Sequence, residues 1–153
     1  MANHGWVKTR KVMKPEHISE IIEKLNKEKF KNLLTVELHK STPQEPGWGE
    51  FTWLISFYKE SRVCWLNNSR HFEMRHGGGS SLIWWVDSCI LNEVALVFNG
   101  TIGDEGIPDK WKGQENYCPD FKSYLLKNIH DLPQEHIDRI LSEEKKWIPE
   151  GWL

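Results

Sequence analysis

The stretch SSLIWWVDSCILNEVALVFNG, Ser80 to Gly100, constrains the fold more than any other part of this chain. Ile83, Val86, Ile90, Val94 and Val97 recur at helical spacing, and Asn99-Gly100 supplies a left-handed stop. This is the main core helix. Asp87 lies inside it, one residue from the stripe position Val86. A buried aspartate is costly unless paired, so it is expected to edge the stripe or to meet a basic partner such as Arg75.

The other segments supply strands and lesser helices. GWVKTRKVM alternates polar and apolar residues and reads as a first strand. Pro15 then opens an amphipathic helix, PEHISEIIEKLNKEKF, with Ile18, Ile21, Ile22 and Leu25 as its stripe. LLTVELHK sets Leu34, Val36 and Leu38 on one face of a half-buried strand. STPQEPGWGE is a Pro/Gly loop, after which FTWLISFY places Phe51, Trp53, Ile55 and Phe57 together. KES reads as a hairpin turn into RVCWL, and NNSR as a second turn. HFEMRH puts Phe72 and Met74 on one side, His71, Glu73 and Arg75 on the other.

Beyond the core helix, TIGDEGI reads as a short edge strand or a loop, and PDKWKGQENYC as irregular. Two helices follow, around DFKSYLLKNI and PQEHIDRILSEEKKW. Asp131 and Gln134 have the spacing of a capping box for the second. The expected fold is α+β: an antiparallel sheet of four to five strands with helices on one face, a ferredoxin-like (split βαβ) variant with a C-terminal helical extension. The 153 residues fit one domain, with 1–107 as sheet-and-helix core and 117–153 as C-terminal helices.

Charge and cysteine usage narrow the function. Twenty basic and 22 acidic residues leave a net charge of −2, and KTRK is the one dense basic stretch, so nucleic acid is disfavoured as a partner. No apolar run approaches the ~20 residues that span a bilayer, and MANHGWVKTRK lacks the apolar core of a signal peptide. Cys64, Cys89 and Cys118 form an odd set without a C-x-x-C pair, which favours reduced thiols and a cytoplasmic protein over a disulfide framework or a zinc ribbon.

The candidate site is the loop RHGGGSS. A strand running into Gly77, Gly78 and Gly79 and then a helix leaves unpaired N–H groups at the positive end of the helix dipole. Ser80 and Ser81 add hydroxyls, Arg75 and His76 add positive charge, and Trp84 or Trp85 offers an aromatic wall. These features suit a phosphate or carboxylate, a nucleotide among them. The loop is neither a Walker A loop nor G-x-G-x-x-G, and its plain alternative is a connector in which Ser80 or Ser81 caps the helix.

Weaker constellations stand beside it. His71, Glu73 and an acid from GDEG (Asp104, Glu105, near Asp109) would make a metal-dependent hydrolase, but His71 and His76 point to opposite strand faces, so no metal or other cofactor is expected. Cys89 reads as a packed thiol; Cys118 has no histidine near it in sequence, and Ser80 and Ser81 lack a nucleophile elbow, so no catalytic residue is assigned. Nine tryptophans are many for this length. Trp53 and Trp65 fall on strands, whereas Trp48 and Trp152 fall on a loop and near the C-terminus, as interface residues do. The expectation is a small cytoplasmic binding domain, non-enzymatic, with an anion or nucleotide at the glycine loop. The alternative is a protein-interaction or self-assembly module built on exposed tryptophans and a sheet edge.

Overall fold

The chain runs β1 (His4–Lys8), α1 (Pro15–Glu28), β2 (Leu34–Lys40), β3 (Phe51–Phe57), β4 (Glu60–Asn68), β5 (His71–Arg75), α2 (Ser81–Phe98), β6 (Thr101–Asp104), β7 (Trp111–Lys112), α3 (Phe121–Ile129) and α4 (Gln134–Glu144). The computed structural model describes residues 4–40, 51–75, 78–106 and 111–153. The fold is α+β. Its sheet has seven strands in the order β2-β3-β4-β5-β1-β6-β7, every neighbouring pair antiparallel. The expected four to five strands therefore fall short. β2 to β5 form a meander, and β1 closes onto β5 and β6 instead of taking a ferredoxin-like position. β6 realises the strand reading of TIGDEGI but is not the edge, because β7, two residues within the stretch read as irregular, pairs outside it.

The hairpin turns differ from the sequence reading by a few residues. Tyr58 and Lys59, not Lys59–Ser61, join β3 to β4, with Tyr58 in the left-handed region at φ 57°. In the next turn Asn68 acts through its side chain: its Oδ1 accepts the Arg70 N–H at 2.8 Å. α4 starts at Pro133 as N-cap with no side-chain cap bond, so Asp131 does not cap it. Proline there fixes the backbone for helix entry without an acceptor.

Register decides which residues meet the helices. Phe51, Trp53, Ile55 and Phe57 lie across from Leu66, Cys64, Arg62 and Glu60, so all eight share the helix-covered face. Trp65 lies opposite Thr52 and Glu73, and so belongs to the outer face. The two strand tryptophans therefore point to opposite sides of the sheet, although both are buried. Leu34 is the one buried position on β2; Val36 and Leu38 remain 40% and 49% exposed because β2 is an edge strand.

The core is one continuous cluster. It joins Ile18, Ile22 and Leu25 of α1, much of α2, the helix-side strand residues, and Phe121, Leu125, Ile129 and Ile148 from the C-terminal part. α2 is the one described helix long and apolar enough to cross a bilayer, and two-thirds of it is buried inside the fold. Most of its side chains are buried and only Val97 stands exposed, because the sheet covers one side while α1 and α3 pack beside it. Asn99 ends it in the left-handed region at φ 48°.

Candidate functional site

The glycine loop resolves into a structural joint. Gly78 and Gly79 adopt φ of 71° and 93°, which side chains rarely do. A Cβ on Gly79 would lie 2.6 Å from the Ile83 Cγ2, whereas one on Gly78 would meet nothing. Ser80 is the N-cap of α2. The positive end of α2 already carries acids from the same chain. Glu60 accepts the Ser80 N–H at 2.8 Å and the Ser80 hydroxyl, and Glu144 of α4 accepts the Ser81 hydroxyl at 2.8 Å. A carboxylate beside a helix N-terminus is stabilised by the dipole and by charge-assisted hydrogen bonds. The loop thus holds an internal anion where an external one was expected.

The other residues expected to join the loop lie apart from one another. Arg75 neighbours Met74 on β5, so it points to the outer face, exposed, away from the helix start. His76 and Gly77, like Trp48 and Asp109, lie outside the described residues. Trp85 is fully buried: its indole N–H donates to the Cys118 carbonyl at 3.2 Å, and its ring packs edge-on against Phe30 and Trp152. Trp152, near the C-terminus, thus completes the core. Trp84 is half-buried, with the Arg62 guanidinium 5.9 Å from its ring centre.

Asp87 does have a basic partner, and it is Arg62. The Arg62 Nε donates to Asp87 Oδ2 at 2.9 Å and its Nη2 to the Gly78 carbonyl at 2.6 Å, which ties sheet, helix and loop together. Arg75 is excluded because it lies on the other face of the sheet. Burial raises the Asp87 pKa to about 7; Arg62 opposes the rise, and nearby Glu60 adds to it. Asp87 Oδ1 is buried and has no hydrogen-bond partner among the described residues. Such an atom is uncommon in a native fold.

Asp87 also forms part of the wall of a cleft of about 360 Å³ between α2, β6–β7 and the segment leading to α3. That volume is at the lower end of the range for small-molecule sites, roughly 300–1,000 Å³. Trp84, Trp111 and Tyr117 give it aromatic walls, and Asp104, Lys112 and Lys127 give it charge. A two-point clasp fixes the outer wall. The Asn92 amide donates to the Gln114 carbonyl at 2.9 Å and accepts its N–H at 2.8 Å. Gly113 permits this, since a Cβ there would sit 2.6 Å from the Leu96 nitrogen.

The residues named for a metal-dependent hydrolase lie on different faces of the sheet. His71 and His4 both approach Glu73 on the outer face, at 3.4 and 3.5 Å, while Asp104 belongs to the helix face. Among the described residues no group of three or more His, Cys, Asp and Glu side chains is arranged to hold a metal. The three cysteines are free and buried; burial pushes the Cys89 thiol up to about 12 and Cys64 higher still. Neither is a thiolate near neutral pH.

Sequence reasoning missed Arg62, Glu60 and Glu144 around α2, and Asn92, Trp111, Tyr117 and Lys127 at the cleft. One signal was available: Glu60 and Arg62 alternate in phase with Cys64 and Leu66, so two charges occupy core-facing positions. No protein-family model, curated protein or solved structure matches this chain.

Proposed function

We propose that this chain is a small-molecule binding domain whose site is the cleft beside the middle of α2. The observation that carries the proposal is Asp87: a buried carboxyl with one oxygen unpartnered among the described residues, in the wall of an aromatic-sided cleft. Burying such a group without a partner costs on the order of 1–3 kcal/mol, and a ligand donor that meets it would offset that cost. The ligand that fits is planar, with an N–H edge for Asp87 and a ring for the indoles of Trp84 and Trp111. It also carries an anionic group, assigned to Lys112 and Lys127 and not to the start of α2, where Glu60 and Glu144 already sit. A nucleotide has this chemistry. Binding is what is proposed, since the cleft offers recognition groups and the thiols among the described residues are buried, with those of Cys64 and Cys89 kept protonated.

Isothermal titration with nucleoside monophosphates and benzyl phosphate tests the reading. At least one nucleotide is expected to bind, with affinity reduced about tenfold, or ~1.4 kcal/mol, by Asp87→Asn and by Lys127→Glu. Arg75→Ala, on the opposite face, is expected to change nothing. Binding to none of the panel, or binding lost in Arg75→Ala and kept in Asp87→Asn, overturns it.

A further inference from the structure

The two ends of the sheet are finished differently. β7 has two residues and presents almost no edge. β2 has seven, without proline, glycine or bulge, and its outer backbone edge pairs with no strand among the described residues. A long regular edge with alternating apolar side chains is a template for another strand. Val36 and Leu38 continue the helix-side face of the sheet past the cover of α1 and stand 40% and 49% exposed. Glu37 and His39 alternate with them on the outer face.

We infer that β2 pairs with β2 of a second copy of this chain, antiparallel, about a two-fold axis through Leu38 and normal to the sheet. The register follows from what each choice sets face to face. Centring on Glu37 puts two carboxylates directly opposite, which is destabilising. Centring on Val36 brings the exposed Leu38 against Leu34, which is already buried, and runs the partner's Lys40 past the start of the strand at Leu34. Centring on Leu38 sets the two Leu38 side chains against each other, Val36 against the stem of the partner's Lys40, and Glu37 against the partner's His39. The Glu37–His39 pairing occurs twice by symmetry. The two groups are complementary within one chain too, where His39 Nε2 lies 3.3 Å from Glu37 Oε2. The axis keeps α1 of both copies on one side, so Val36 and Leu38 of each chain extend a shared apolar strip. This goes beyond the cleft reading and does not depend on it.

Light scattering across a concentration series, together with cysteine crosslinking, tests both dimer and register. The wild type is expected to reach twice the chain mass. Glu37→Lys is expected to weaken association about tenfold, since it sets a basic group against His39 twice. The exchanged pair Glu37→His with His39→Glu is expected to restore it. Under mild oxidation Leu38→Cys crosslinks to itself, because self-opposed positions bring Cα atoms within the roughly 4.4–6.8 Å that a disulfide needs. Val36→Cys does not. The native cysteines are buried and leave the assay clear. A monomer at every concentration, or crosslinking at Val36→Cys in place of Leu38→Cys, overturns the inference.

Discussion

The start of α2 and the middle of α2 both bring charge to an apolar helix, and of the two only the middle lines the cleft. At the start, Glu60 accepts from Ser80 with both oxygens, and Glu144 accepts the Ser81 hydroxyl with one oxygen while its other, Oε2, is buried without a hydrogen-bond partner among the described residues. In the middle, Asp87 has a cation on one oxygen and, among the described residues, no partner on the other. The same arginine, Arg62, serves both ends through Asp87 and the Gly78 carbonyl. A glycine-rich helix start is an anion site only when the chain brings no anion of its own, and this chain brings two. The buried carboxyl that lines the cleft lies two turns further along.

The largest effect should come from removing what the two regions share. Arg62→Met leaves Asp87 buried without a counter-charge and should lower stability by about 3–5 kcal/mol in urea unfolding at pH 7. A loss under 1 kcal/mol would mean that the ion pair joins nothing. Next come the glycines. Gly79→Ala should cost about 2 kcal/mol, from a positive φ and from contact with Ile83. Gly78→Ala, strained but unobstructed, should cost about 1 kcal/mol. Equal losses would show that the space beside Gly79 is unimportant. Glu60→Gln keeps the shape but loses the charge at the helix start, and should cost about 1 kcal/mol, with the loss shrinking in high salt.

A separate effect, read across pH instead of at a single pH, is a difference in pH dependence. The Asp87 carboxyl titrates near 7 when folded, against an ordinary value of 3.8. Folding therefore favours its protonated form. The stability this contributes is fully present below about pH 4 and is lost as pH rises through about 7. Wild type should lose stability relative to Asp87→Asn across that window, by urea unfolding at several pH values. Parallel curves would show that the carboxyl is not raised.

Much of this was legible in the residues, and the rest was not for identifiable reasons. Periodicity marks α1, α2 and the meander strands because each buries a regular stripe, as Ile18, Ile22 and Leu25 or Phe72 and Met74 do. It leaves β6 open between strand and loop and is silent on β7, whose four and two residues hold too few alternations. The glycine triplet is visible and its conformational role readable, but its acids come from Glu60 and Glu144, 20 and 63 residues away. Asp87 is conspicuous in sequence as an acid in an apolar helix. Its partner was not, because choosing between Arg62 and Arg75 requires knowing which face of the sheet α2 covers. The cleft depends on Asn92 holding Gln114, a contact that no local pattern announces.

The central claim is that the middle of α2 binds and its start supports. Mapping backbone amide NMR shifts while adding the tightest-binding nucleotide tests it most directly. The prediction is that Ser88, Gly103 and Gln114, around the cleft, move together, while Gly79, Ser80 and Ser81 stay in place. Shifts confined to Gly79–Ser81 and Arg75, with Ser88 and Gln114 unmoved, would contradict it.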